Sequence, residues 1–271
     1  MKFSIITVCK DSEKTIENTI LSVINQTYRN FEYIIIDGLS TDNTLNIIEK
    51  YRDKIAHVIS EPDSGLYDAM NKGIKLASGD YLFFLNSDDQ FLHENILELV
   101  ANCHCEEAQR ADATICKKST FAVIYGDIAV LNKQTGKLSI QKHNKFNKIY
   151  LLKNTPCQPG TFYKKDAFEK YGYFDTNYKI VSDHEWFLRV FLKNNRKTKY
   201  LGFPISIFNI GGLSTNKNRE EKLIVERNDM LDKYFTKFER ISYEFISKNC
   251  RSLTTVPILS DFLNLIFKFK I

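Results

Sequence analysis

The sequence predicts an α/β fold on a mostly parallel sheet, and three observations carry that prediction. Over residues 1–90 of the 271-residue chain, apolar strand-like runs alternate with helix-like periodic stretches, a pattern that yields parallel strands joined by right-handed crossovers. The fourth run, Tyr81 to Leu85, carries no charge and no polar alternation, as a strand covered on both faces requires. Acids close the strands, with Asp37 ending the second and Asp88 and Asp89 following the fourth. That is the sheet edge where open α/β folds place ligands.

Each element follows from its own residues. Phe3 to Cys9 forms the first strand, and Ser12 opens a helix whose Ile16, Ile20, Val23 and Ile24 share one apolar face. Phe31 to Asp37 is the second strand. In the polar turn GLSTDNT after it, Asp42 and Thr44 are suited to cap a helix running to about Tyr51. Val58 and Ile59 give a short third strand, and EPDSGLYDAMNKGIKLASGD leads through a loop into a helix from Tyr67 to about Ala77. After the fourth strand, Ser87 or Asp89 is placed to cap a helix around Asn95 to Ala101. Two adjacent carboxylates are otherwise stable only when solvated, hydrogen-bonded or shared with a cation.

The second half is more mixed. Residues 101–120 have little periodicity and read as an irregular connector. Phe121 to Tyr125 and Ile128 to Asn132 read as strands flanking Gly126 and Asp127, and PGTFYKK as another. Asp183 to Lys193 reads as a helix with Trp186, Phe187, Val190 and Phe191 inward, and Glu220 to Lys248 as one long helix.

A hydrophobic content of 43% indicates a globular chain, and a formal net charge of +5 does not demand a nucleic-acid partner. No stretch approaches the roughly 18 apolar residues of a spanning helix, and the N-terminus lacks the features of a signal peptide. The six cysteines are irregularly spaced, as expected for reduced cytosolic thiols. Cys103, His104, Cys105 and Cys116 match no common zinc spacing. The absence of G-x-G-x-x-G after the first strand, and of a P-loop signature, argues against a dinucleotide fingerprint and a glycine-rich phosphate cradle. Phosphates on this edge would need a cation instead.

Three stretches, "FSIITVCKDSEKTIENTILSVINQTYRNFEYIIIDGLSTDNT", "SEPDSGLYDAMNKGIKLASGDYLFFLNSDD" and "SDHEWFLR", together resemble the family 2 glycosyltransferases of the GT-A fold. The resemblance covers roughly residues 1–215. Within the family it is similar to bacterial enzymes that build lipopolysaccharide, capsule or exopolysaccharide. It implies a Rossmann-like central sheet, a UDP-sugar donor, Mg²⁺ or Mn²⁺, and inversion at the anomeric carbon. On that resemblance Thr7 and Cys9 line the base pocket largely through backbone, and Asp37 accepts from the uracil imide N–H, which an ionised carboxylate suits. Asp68 lies beside base and ribose, with Lys72 on the same helix face. Asp88 sits near the ribose hydroxyls and shares the metal site with Asp89, which holds the cation bridging the diphosphate.

Asp183 takes the place of the general base, with Glu185 as the second candidate and His184 where an aromatic is common. Cys157 stands before Gln158 where the family often has His. Gly211 and Gly212 belong to a loop of the kind that closes over a diphosphate. Two other classes use similar residues. A glycoside hydrolase needs two carboxylates but no nucleotide pocket, and a non-catalytic nucleotide-binding module would bind UDP without turnover. The intact Asp88, Asp89 and Asp183 argue against the latter. The acceptor implied is a saccharide or a lipid-linked saccharide. Residues 216–271 read as a helical C-terminal extension. Its tail, VPILSDFLNLIFKFKI, is too short to span a bilayer but suited to lie on the inner leaflet of a cytoplasmic membrane, to pack on the catalytic domain, or to form a homodimer contact.

Overall fold

The computed structural model describes residues 1–110, 121–132, 135–143, 148–193, 198–210 and 220–242. In chain order they form β1 (Phe3–Cys9), α1 (Ile16–Ile24), β2 (Phe31–Asp37), α2 (Thr44–Glu49), β3 (His57–Ser60), α3 (Leu66–Leu76), β4 (Tyr81–Phe84) and β5 (Gln90–Phe91). There follow α4 (Ile96–Arg110), β6 (Val123–Asn132), β7 (Lys137–Gln141), α5 (Lys148–Lys153), β8 (Thr161–Lys164), α6 (Lys165–Tyr171), α7 (Ser182–Lys193), β9 (Thr198–Ile210) and α8 (Glu220–Tyr234).

One sheet orders them β3-β2-β1-β4-β8-β6-β9-β5, with β7 paired to β6. The first four strands are mutually parallel, in register from Phe3 beside Phe31 to Cys9 beside Asp37. Beyond β4 the sheet is mixed. β8 runs antiparallel to both β4 and β6, β9 runs parallel to β6, and β5 antiparallel to β9.

The uncharged strands are explained by helices on both faces. Ile34 and Ile36 of β2 face one core with Leu82 and Phe84, under α3 and α7; Tyr33 and Ile35 face the other with Tyr81 and Phe83, under α1, α2 and α4. Two-sided burial removes the polar alternation a half-exposed strand shows. Gly73 lets α3 lie close on β1, since a Cβ there would stand 2.5 Å from Ile6 Cγ2. Trp186, fully buried, stacks on Phe168 at 4.4 Å and donates its indole N–H to the Gly172 carbonyl at 2.8 Å. It anchors α7 into the core.

Several sequence expectations are corrected. α4 continues to Arg110, so residues 101–110 are helix rather than connector; Ala, Glu, Gln and Arg all favour helix there. Asp89 caps no helix, because β5 intervenes before α4. The two strands around Gly126 and Asp127 are the single strand β6, with a register shift at that point. The long C-terminal helix stops at Tyr234 and restarts over 237–242. There Thr236 Oγ1 accepts the Glu239 N–H at 3.2 Å and Glu239 accepts the Thr236 N–H at 2.7 Å, a reciprocal box that favours a new helix start. Gly211, Gly212, Cys116 and the tail lie outside the described residues. Among those described, no helix is long and apolar enough to cross a membrane.

Candidate active site

The carboxyl ends of β1, β2 and β4 share one sheet edge, and the starts of α3 and α7 meet it. At the end of β2, Asp37 is fully buried. Its carboxylate accepts the Ser40 N–H at 3.0 Å and the hydroxyls of Ser40 and Ser60, the latter at 2.6 Å. The Cys9 thiol lies 3.6 Å from it. Burial first, then the Asp37 charge, pushes that thiol above the ordinary range, so Cys9 stays protonated. The Thr7 hydroxyl is paired to the Tyr33 hydroxyl at 3.0 Å. Backbone is therefore what β1 can offer a ligand here.

Gly65, at φ +133°, precedes α3. A side chain would be strained in that conformation although it would meet little, the nearest atom being Lys179 Cδ at 3.8 Å. In the first turn of α3, Asp68 accepts the Ser64 N–H at 2.9 Å and is partly buried. Lys72 does not pair with it. It pairs with Glu61 at 2.9 Å and donates to the Pro62 carbonyl at 2.6 Å, so it braces the loop that enters α3.

Past β4 the two neighbouring acids differ. Asp88 is partly exposed and Asp89 is fully buried. Asp89 is tied down by two elements and its own turn: its Oδ1 accepts the Asn209 N–H of β9 at 3.3 Å, its carbonyl accepts the Thr19 hydroxyl of α1 at 2.7 Å, and its N–H donates to Asn86 O at 3.0 Å. The Asn209 side-chain amide also donates to the Asp88 carbonyl. The Oδ1 atoms of Asn86 and Asn209 are buried and have no hydrogen-bond partner among the described residues. Two carboxylates beside two unpartnered amide oxygens form a set of hard oxygen donors, which fits Mg²⁺ or Mn²⁺ completed by phosphate oxygens. No group of three or more His, Cys, Asp or Glu able to hold a metal ion occurs among the described residues. A cation here would depend on its ligand for the remaining coordination.

Asp183 lies in the first turn of α7. Its Oδ1 accepts the Tyr67 hydroxyl of α3 at 2.8 Å. Burial raises its carboxyl above the ordinary value, against the lowering effect of Tyr67 and nearby backbone N–H groups. A carboxylate with a raised proton affinity at a ligand-binding edge is suited to accept a proton. Burial, then the charges of Asp183 and Asp89, pushes the Cys157 thiol up to about 12. It is a neutral thiol at the position before Gln158.

The other candidates on α7 face inward. Glu185 is buried and held by Arg189 and Lys233, both at 3.0 Å, and by the Tyr234 hydroxyl. His184 donates Nε2–H to the Leu151 carbonyl at 2.8 Å, and burial lowers it to about 4, so it is neutral. Neither is presented to a substrate.

Tyr67, Asn86, Asn209 and Glu226 carry structural weight that their sequence positions do not announce. Tyr67 stands inside the quoted GLYDAMN stretch, which was its only signal.

The family description "Glycosyl transferase family 2" matches residues 4–172. A PGL/p-HBAD biosynthesis glycosyltransferase of Mycobacterium tuberculosis is 28% identical, covering 71% of this chain and 71% of the relative. A second M. tuberculosis glycosyltransferase is 30% identical, covering 70% and 68%. Poly(ribitol-phosphate) β-N-acetylglucosaminyltransferase TarS of Staphylococcus aureus is 24% identical over 100% of this chain and 45% of its own length. Among solved structures, TarS in complex with UDP-GlcNAc superposes with a TM-score of 0.65 at 19% identity, covering 95% of this chain and 77% of that one. A Pyrobaculum calidifontis mannosyltransferase in complex with GDP-Man and Mn²⁺ superposes at 0.62 and 11% identity, covering 98% and 80%. These superpositions place the fold as GT-A.

Proposed function

From the premise that this chain belongs to glycosyl transferase family 2, we propose that it is an inverting enzyme moving a hexose or N-acetylhexosamine from a UDP-sugar to a saccharide or lipid-linked acceptor in surface polysaccharide synthesis. The observation that carries this reading is the hydrogen bond from Tyr67, at the start of α3, to Asp183 at 2.8 Å, which brings the start of α7 to the sheet edge where Asp37 ends β2. TarS, to which the whole of this chain is similar over 45% of the length of TarS, has been solved with UDP-GlcNAc and with UDP, and this supports UDP as the nucleotide.

In this reading Asp37 receives the uracil imide, backbone at Thr7 and Cys9 frames the base, and Asp68 and Asp88 hold the ribose. Lys72 acts indirectly, by fixing the loop at Glu61 and Pro62. Asp89 and Asp88 would hold Mg²⁺ or Mn²⁺, which when bound would neutralise charge on the departing nucleoside diphosphate. Asp183 takes the proton of the acceptor hydroxyl as its oxygen attacks the anomeric carbon from the face opposite the diphosphate. Two carboxylates alone would also serve a glycoside hydrolase, but that chemistry has no use for the Asp37 and Asp68 pocket. The same proposal places the enzyme in the cytoplasm, docked on the inner leaflet through its tail. Truncation after Thr255 is expected to abolish sedimentation with anionic vesicles.

The test is a panel of UDP-glucose, UDP-galactose and their N-acetyl forms assayed for Mn²⁺-dependent release of UDP. Turnover of one donor, lost in Asp183→Asn, is the expected result. If no donor is cleaved and UDP gives no thermal protection, the reading fails.

A further inference from the structure

The geometry points to Tyr67 as the positioning residue of Asp183: its hydroxyl occupies Oδ1 and leaves Oδ2 as the oxygen that takes the acceptor's proton. This rests on the reading of Asp183 as the general base.

Tyr67 is buried, with its ring tilted against Phe174 at 5.4 Å between centroids. Its hydroxyl lies 2.8 Å from Asp183 Oδ1 and 2.9 Å from the Ile180 carbonyl. One proton thus faces two acceptors. While Asp183 is ionised, the charged oxygen makes the stronger bond and takes the proton. As the sugar transfers, the acceptor O–H bond breaks and its proton bonds to Oδ2. The acceptor oxygen's electron pair forms the new glycosidic bond, and the bond from the anomeric carbon to the diphosphate breaks with its pair on the leaving group.

Oδ1 is then an ordinary carbonyl oxygen, comparable with that of Ile180. The Tyr67 hydroxyl keeps a partner in either state, so the base changes charge without leaving a buried donor stranded.

The other titratable groups near Asp183 do not compete. Cys157 and Tyr163, on the turn and on β8, are kept protonated by burial and by the Asp183 charge. On α7 itself, His184 and Glu185 are engaged elsewhere. Among the described residues, Tyr67 is the side chain that donates to Asp183.

The test is the carboxyl titration of Asp183 in the full chain, followed by ¹³C NMR and assigned by the signal missing from Asp183→Asn. In Tyr67→Phe, which keeps the ring, the midpoint should rise by about one pH unit, a tenfold gain in proton affinity. The acid limb of turnover with the UDP-sugar that wild type cleaves should move with it, and UDP affinity should change less than about twofold. Replacing Tyr67 by 3,5-difluorotyrosine, a stronger donor, should move the midpoint the other way. Loss of packing cannot produce opposite shifts.

An unmoved midpoint in Tyr67→Phe, or in the fluorinated protein if Tyr67→Phe does not fold, overturns the proposal. If Asp183→Asn is inactive while the midpoint stays fixed, only the role of Tyr67 falls. If Asp183→Asn retains turnover, the base assignment falls and this proposal with it.

Discussion

The carboxylate of Glu226 on α8 accepts the backbone N–H of Ile180 at 2.8 Å, and both its oxygens lie 3.0 Å from the N–H of Lys179. This ties the C-terminal helix to the segment that leads into Asp183. Tyr178 reinforces the tie through Asp229 at 2.6 Å, and Met230, Leu231 and Phe235 join the same core as Trp186. Removing Glu226 leaves two backbone donors without their charged acceptor. Glu226→Ala is expected to cost on the order of 2 kcal/mol, a drop in Tm of about 4–8 °C. Turnover should fall while UDP affinity, measured by calorimetry, is retained.

The proposed function makes metal dependence an expected outcome, tested at the oxygen donors around Asp88 and Asp89. Excess EDTA should abolish transfer and weaken UDP binding to wild type. Asp89→Ala should bind UDP equally weakly with and without Mn²⁺. Full activity in EDTA would remove the cation from the mechanism.

Asp183→Asn is expected to lower turnover by about 10²–10⁴-fold, since an amide cannot take the proton, with donor affinity nearly intact. It should also stabilise the protein. Burial raises the Asp183 carboxyl above its unfolded value, so ionising it in the fold costs free energy. That cost is absent below the unfolded carboxylate range and complete above the raised value. The variant should melt higher than wild type at neutral pH, and the gain should vanish in acid.

Glu32 has the opposite sign. Burial raises its carboxyl, but bonds from the Ser4 hydroxyl at 2.5 Å, from Ser78 and from Lys2 at 3.0 Å outweigh this and hold it at about 2. Its contribution is present above the unfolded value and is lost as pH falls toward 2. Glu32→Gln should lower stability by about 1–2 kcal/mol at neutral pH, allowing for solvent screening. The difference should shrink below about pH 4, as followed by urea melts across that range.

In the first half, β1, β4 and most of β2 are legible because they are buried on both faces and so read as apolar runs, whereas β3 is exposed at both ends and shows only Val58 and Ile59. Asp37, Asp88 and Asp89 stand out because they follow such runs directly. The second half is not legible in the same way. β7 is exposed along its length and β5 has two residues, so neither carries a pattern of its own; pairing with remote strands creates them. The hold of Asn209 on Asp89 leaves no local trace, because sequence encodes a contact only through both partners. Lys72 looked like a partner for Asp68 by helical spacing, yet Glu61 outside the helix competes for it and prevails.

The span of that Asn209 contact, 120 residues, also orders events at the ribosome. Domains form from the N-terminus as the chain emerges, and long-range pairings close late. β1, β2 and β3 have all their strand partners among the first 84 residues, while β4 also pairs with the later β8. The diacid turn, in contrast, waits for β9, and the segment before Asp183 waits longer, for Glu226. A nascent chain therefore pairs β1, β2 and β3 around Asp37 well before it can tie down the diacid turn or the segment that leads into Asp183.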